Sequence, residues 1–496
     1  MKNEKKTVNL LSYAHDRGVH YKVTADEIFN LINNYTEQKE FSELYNYFEQ
    51  YYQLPIRVVK QSIRQHIARS YLFKSGKFNS RLRIKNIPKS ILQYGALVYA
   101  LFFTKRKSSV RNFKLIIDYI CSPHELARFE KLLKLVGKDK VLCVTRDINI
   151  QQEFPKYHIY NKKMFRDIKF MDLLKSMSSE FFLGVWVVLR VSLKTKVNLF
   201  PTTLKIIHSY LSFKSLFEYN KAEYIIQERH YDTDAVKNYL FKESGGIAST
   251  SIQKNIFQTD PIFFYIDIDV LFSLGNDGYS RALEYGGRID NIQPVGSLFM
   301  EYYWFNNKYE YNKEYDIAIL GINTSNAYER LDSYNEFMED YYSLYRWVAK
   351  LSIDNPEYNI VLIHHNTAGE DKIEDDILFG SNVRVLDKNT NSYKVAFSSR
   401  CTITYGSTMG YELNAHNLPT FFIDPGSRCS FLPENGCDYI DKMRVDSYDA
   451  LQSLMNQIVG DKDIKIVMRE SSDMWCLESS EVSNRIYKNF INEKAV

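Results

Sequence analysis

The sequence predicts an α/β protein of two successive doubly wound, parallel-sheet domains, preceded by a helical, basic N-terminal region. Three observations carry this expectation. NFKLIIDYI (112–120), CSPHELARFEKLLKLVG and KVLCVTRD (140–147) read as strand, helix, strand, a βαβ unit that starts a parallel sheet. The alternation returns between residues 222 and 297. It restarts at NKEYDIAILGINT (312–324) and runs through TYGSTMGYELNAHNLPTFFIDPG (404–426).

Each element has a local reason. The helix after residue 120 opens on Ser122 and Glu125 at capping-box spacing, with Pro123 at its first position and Gly137 at its end. AEYIIQERHY (222–231) is a strand, TDAVKNYLFKESG a helix and GIASTSIQKN (246–255) the next strand. DVLFSLG (269–275), a helix around YSRALEYG and IDNIQPVGS (289–297) extend that sheet. In the second half, a long helix through ERLDSYNEFMEDYYSLYRWVAKLS precedes the strands NIVLIHH (359–365) and VRVLD (383–387). SYDALQSLMNQIV and EVSNRIYKNFINE read as terminal helices. The boundaries are 1–108 for the basic helical region, 109–310 and 311–460 for the two Rossmann-like domains, and 461–496 for the C-terminal helices.

A chain of 496 residues, 45% apolar and 25% charged, has the composition of an ordinary globular protein and room for such cores. Its six cysteines show no metal-ligand spacing and read as reduced thiols. MKNEKKTVNLLSYAHDRG has no apolar stretch fit for a secretory signal. The runs ILQYGALVYALFF (91–103) and FFLGVWVVLRVSL (181–193) are too short to span a bilayer, so buried helices and a cytoplasmic protein are expected. The net charge of +4 hides an asymmetry: between Glu49 and Asp118 there are fifteen Lys or Arg and no acidic residue. Such a one-signed stretch suits an anionic partner, and residues 50–117 are expected to meet an anionic membrane surface. No nucleic-acid-binding pattern accompanies it, so no nucleic-acid partner is expected.

Ligands of open parallel sheets bind beyond the carboxyl ends of the strands. Three such ends are chemically unusual. At Gly406-Ser407-Thr408, Gly406 permits a tight turn, and hydroxyls at a helix start suit a phosphate. Glu412 lies one turn further in, placed to accept from a ribose diol. A plain helix cap with a bystander Glu fits the same residues. His364 and His365 end the strand NIVLI and can hold a phosphate oxygen, or one packs and the other is exposed. Glu228, Asp232 and Asp234 crowd a strand end of the other domain, where a carboxylate facing a phosphate site serves as general base or nucleophile. Asp232 or Asp234 is expected to cap the following helix, leaving the other for chemistry. The Asp267-Ile-Asp269 motif is discounted as a metal holder, because three-residue motifs arise often by chance.

Taken together, the His pair and YGSTMGYELNAHNLPTFF (405–422) resemble the donor half of GT-B fold glycosyltransferases that build bacterial capsule and lipopolysaccharide. KESGGIASTSIQKN (242–255), with Gln253, and DVLFSLGNDGYSRALEYGG through IQPVGS (269–297) are similar to that group's middle region. Within the group, the motifs look most like enzymes using CMP-activated Kdo and other nonulosonic acids. The resemblance implies that 109–310 receives the acceptor and 311–460 the donor. It implies that His364 or His365, Ser407 and Thr408 hold the nucleotide phosphate and Glu412 the ribose. It also implies Asp232 as nucleophile of a retaining transfer onto a lipid-linked or oligosaccharide acceptor, with no metal and no cofactor beyond the nucleotide sugar. His365 stands where that family commonly has Pro, which leaves UDP- and GDP-sugars open. A sugar-nucleotide epimerase, a polyol-phosphate transferase and a non-catalytic scaffold on the same fold are the alternatives.

Overall fold

A computed structural model describes residues 19–73, 110–145, 150–161, 179–195, 198–256, 264–276, 279–305, 313–322, 334–365, 372–387, 389–425, 442–460 and 473–491. Most of the basic interval, including Lys105, Arg106 and Lys107, the apolar run 91–103, and Cys429 and Cys437 lie outside the described residues.

Two parallel sheets form the frame. The first contains β1 (Arg111–Ile120), β2 (Val141–Thr145), β3 (His158–Asn161), β4 (Asn220–Gln227), β5 (Ala248–Ile252), β6 (Asp267–Ser273) and β7 (Arg288–Pro294). Its order is β3-β2-β1-β4-β5-β6-β7. The second contains β8 (Tyr315–Leu320), β9 (Ile360–Ile363), β10 (Arg384–Leu386), β11 (Ser399–Thr404), β12 (Thr420–Ile423) and β13 (Arg444–Val445), in the order β10-β9-β8-β11-β12-β13. Every strand pair in both sheets is parallel. Each order reverses once, between β1 and β4 in the first sheet and between β8 and β11 in the second. Two doubly wound, Rossmann-type sheets are therefore present, as the alternation predicts, and each has a switch point where a ligand crevice opens.

Helices α1 (Val19–Thr36), α2 (Ser42–Tyr52) and α3 (Ile56–Phe73) pack with α6 (Ser179–Thr195) and α7 (Phe200–Tyr219) over one face of the first sheet, around Phe41, Phe48, Val58, Ile63, Phe217 and Phe241. The other face is covered by α4 (Pro123–Arg128) and α5 (Glu130–Val136). The single helix expected at 121–137 is thus two, divided at Phe129. The capping signals work as read, with one shift. Ser122 accepts from Glu125 N at 3.3 Å, while the Glu125 carboxylate reaches Cys121 N at 2.6 Å. In the 181–193 run, now α6, Val188 and Val191 are buried, but Trp186 is 60% exposed and Leu193 56%. The expected buried helix buries only one face. No described helix is long and apolar enough to cross a membrane.

After β4 comes α8 (Ala235–Glu243), and α9 (Leu298–Tyr303) follows β7. Around the second sheet lie α10 (Tyr334–Asp354), α11 (Lys372–Leu378), α12 (Ser392–Phe397), α13 (Thr408–Asn414) and α14 (Tyr448–Gly460). The chain then crosses back. Leu477 N donates to Leu274 O at 2.8 Å and Asn276 N to Asp473 O at 3.0 Å. Val482 and Ile486 of α15 (Val482–Ile486) join the core under the first sheet. A mixed cluster of Ile256, Leu274, Tyr411, Phe422, Met443 and Cys476 seals the junction between the two sheets and the returning segment.

Candidate functional site

The carboxyl ends of the two sheets meet. Ile256 N, just beyond β5, donates to Thr408 Oγ1 at 3.3 Å, and Ser297 Oγ, just beyond β7, donates to Glu412 Oε1 at 2.5 Å. The ends of β5 and β7 are thus tied to the helix that follows β11, and the junction of the two sheets, called the cleft below, is bordered by residues that follow β4 and β5 on one side and β9 and β11 on the other.

On the first sheet, Glu228 follows β4 and is buried. Arg128 Nη1 bonds its Oε1 at 3.0 Å and Arg229 Nε its Oε2 at 2.8 Å, while Lys254 Nζ stands 3.8 Å from Oε1. Arg229 also bonds Glu125 at 2.6 Å. Burial pushes the Glu228 carboxyl above its ordinary range against the pull of these cations. Asp232 lies in the short 3-10 turn His230–Asp232, its carboxylate 4.0 Å from Arg229 Nη1. Of the two aspartates, Asp234 is the cap: it accepts from Lys237 N at 3.1 Å and from Ser209 Oγ at 2.7 Å. Asp232 is the one that remains beside the cation cluster. Gln253 is buried and spends its amide on the backbone, accepting from Leu274 N at 2.9 Å and donating to Asn255 O at 3.1 Å. It shapes the rim of the cleft from within.

On the second sheet, His364 follows β9 with Nδ1 3.1 Å from Glu374 Oε2, and Glu374 also accepts from Tyr341 OH at 2.5 Å. A buried carboxylate on α11 thus fixes the His364 ring. Gly321, just past β8, lets the His-His backbone come close: a Cβ there would lie 3.1 Å from Ile363 O and 3.3 Å from His364 Cα. His365 is an exposed residue, yet partial loss of water around its ring, and then the charge of Lys254, lower its pKa.

Ser407 caps α13, its Oγ accepting from Met409 N at 3.3 Å. Gly406 is not among the described glycines with positive φ, so the turn there does not depend on glycine's extra freedom. Glu412 is 3% exposed, and both its oxygens are engaged: Oε1 by Ser297 and Oε2 by Tyr393 OH at 2.5 Å. A sugar hydroxyl binding there would replace one of these donors. Asp267 and Asp269 sit at the amino end of β6, away from the cleft, both held by Arg288. No group of three or more metal-ligating side chains occurs among the described residues.

Sequence reasoning missed Arg128, Arg229, Lys254, Glu374, Ser297 and Tyr393. Arg229 and Lys254 had a signal, since each stands directly beside a residue already singled out at a strand end. Glu374 and Tyr393 had none, because only the fold brings them to His364 and Glu412.

No protein-family model matches the chain, and no curated protein sequence does. Solved structures of similar layout include the S. aureus MnaA–UDP complex (11% identity, 77% of this chain and 97% of that one, TM-score 0.48). Two others are the UDP-GlcNAc 2-epimerase from Neisseria meningitidis bound to UDP-GlcNAc (10%, 77% and 100%, TM-score 0.45) and that from Methanocaldococcus jannaschii (9%, 77% and 100%, TM-score 0.44). At these values the likenesses decide nothing about this chain, and its fold rests on the strand orders above.

Proposed function

We propose that this protein is an enzyme acting on a sugar nucleotide bound between the two sheets. The observation that carries the reading is the meeting of the carboxyl ends of two Rossmann-type sheets, one bearing carboxylates and cations, the other histidines and hydroxyls. His364, fixed by Glu374, with His365, Ser407 and Thr408 form the wall for the nucleotide phosphate. Asp232, on the opposite wall, is the carboxylate that acts on the sugar. Glu228 is less suited to that part, because its oxygens are held by Arg128 and Arg229.

Transfer of the glycosyl unit to an acceptor is the first reaction to test, with CMP-linked nonulosonic acids as the first donors and UDP- and GDP-sugars next. Epimerisation is the second, since it needs the same nucleotide seat and a carboxylate at the sugar. Product analysis separates them. A sugar changed without any acceptor is epimerisation; nucleotide release that depends on acceptor is transfer. Asp232→Asn should lower either turnover roughly 10²–10⁴-fold while leaving nucleotide binding intact. Turnover unchanged in that variant removes Asp232 from the chemistry, and no turnover with any sugar nucleotide points to a scaffold.

The basic interval supports a membrane-proximal acceptor. Reversing the charges of Lys105, Arg106 and Lys107 should weaken partition onto anionic vesicles by about 1 kcal/mol or more per residue at low salt. Equal partition of variant and wild type contradicts this.

A further inference from the structure

The cleft contains a lysine that neither the sequence motifs nor the proposed chemistry uses. Lys254 stands two residues past β5, on the rim that Ile256 ties to Thr408. Its ammonium has no hydrogen-bond partner among the described residues. The nearest carboxylate oxygen, Glu228 Oε1, is 3.8 Å away and already bonded to Arg128 at 3.0 Å. The Nζ lies 5.3 Å from the centroid of the Phe299 ring, and its side chain is 23% exposed. A lysine held this way has three unspent donors at the mouth of a partly desolvated site.

The backbone under Lys254 is fixed by a second unused residue. His230 is fully buried, and its Nδ1 accepts from Lys254 N at 3.1 Å. The imidazole therefore holds the backbone just after Gln253, where β5 turns into the cleft. His230 belongs to the same 3-10 turn as Asp232, so one buried ring sets the spacing between the carboxylate after β4 and the ammonium after β5.

We propose that Lys254 is the first sheet's contact for a phosphate group held between the two sheets, and that His230 is the residue that positions it. The inference rests on the sugar-nucleotide reading, because that reading places a phosphate opposite, at His364 and His365. The phosphate belongs either to the nucleotide or to a pyrophosphate-linked acceptor.

The test is competitive acetylation of the whole protein with acetic anhydride across pH, followed by mass spectrometry of the Lys254 peptide. CMP, UDP, inorganic pyrophosphate and geranyl pyrophosphate serve as protecting ligands, with cytidine and uridine as phosphate-free controls. The expected result is slower labelling of Lys254 with a phosphorylated ligand and unchanged labelling with the nucleosides. Protection by CMP or UDP assigns the phosphate to the nucleotide; protection by geranyl pyrophosphate alone assigns it to the acceptor. Lys254→Met should weaken the protecting ligand about tenfold, as loss of a charge-assisted hydrogen bond predicts. His230→Leu, which removes the acceptor, should do the same and shift the pH profile of Lys254 labelling upward as the side chain reaches water. His230→Asn, which keeps an acceptor at the δ position, should restore both. Nucleotide binding seen by calorimetry without protection of Lys254 overturns the lysine contact while the wider reading stands. If no ligand binds or protects, both fall. A His230→Leu protein with wild-type profile and protection overturns the positioning role.

Discussion

His230 illustrates how much one buried side chain decides at this site. Burial, and then the charge of Lys254, push its pKa down to about 3 from the ordinary value of 6.5. The unfolded chain takes up a proton at His230 below pH 6.5, whereas the folded chain does not until about pH 3. Between those values the unfolded state binds more protons, so this residue makes stability fall as pH falls. From pH 7 to pH 5 the contribution is about 2 kcal/mol. Urea unfolding at both pH values should show the wild type losing about that much more than His230→Asn. Equal losses would contradict the assignment of a buried neutral ring. None of this was legible in ERHYDTD, where His230 is one polar residue among several. The aspartates were legible in part: the sequence required one cap and one remaining carboxylate, but only the bond from Lys237 N shows that Asp234 is the cap. Glu412 was legible as a residue one turn into the helix, and its donors Ser297 and Tyr393 were not, because they lie 115 and 19 residues away in sequence.

At the scale of elements, strands and helices could be read because apolar β-branched runs, caps and Pro positions are local signals. The path of the C-terminal segment could not. It docks through main-chain bonds to residues 274 and 276 and through scattered side chains such as Cys476, Val482 and Ile486, and neither makes a local pattern in the sequence. Gly275 is where this matters most. A Cβ at that position would lie 2.4 Å from the Trp475 carbonyl carbon and 2.5 Å from Met474 O. Backbone cannot yield as a flexible side chain does, so Gly275→Ala should push the returning segment off and lower stability by about 1–3 kcal/mol. Protease cleavage near residue 473 should rise in the variant, and an unchanged unfolding midpoint with unchanged cleavage would contradict this docking. The division of the helix at Phe129 was missed for a related reason. The apolar periodicity runs through it unbroken.

At the level of the whole molecule, the strand order of one sheet repeats in the other. Two sheets with the same reversal, tied end to end by Ile256–Thr408 and Ser297–Glu412, place one set of charges against another across a shared cleft. The alternation in the sequence was enough to predict two such sheets, but not that Ile256 would meet Thr408 or Ser297 meet Glu412. The central claim is that this cleft holds a nucleotide. Thermal unfolding with CMP, UDP, GDP and ADP, each in wild type and His364→Ala, tests it most directly. His364 is partly exposed, so its loss spares the core. A nucleotide at a hundred times its Kd should stabilise the wild type by about 2.7 kcal/mol, and the variant much less at the same concentration. No shift with any of the four, or a shift unchanged in His364→Ala, would contradict the account.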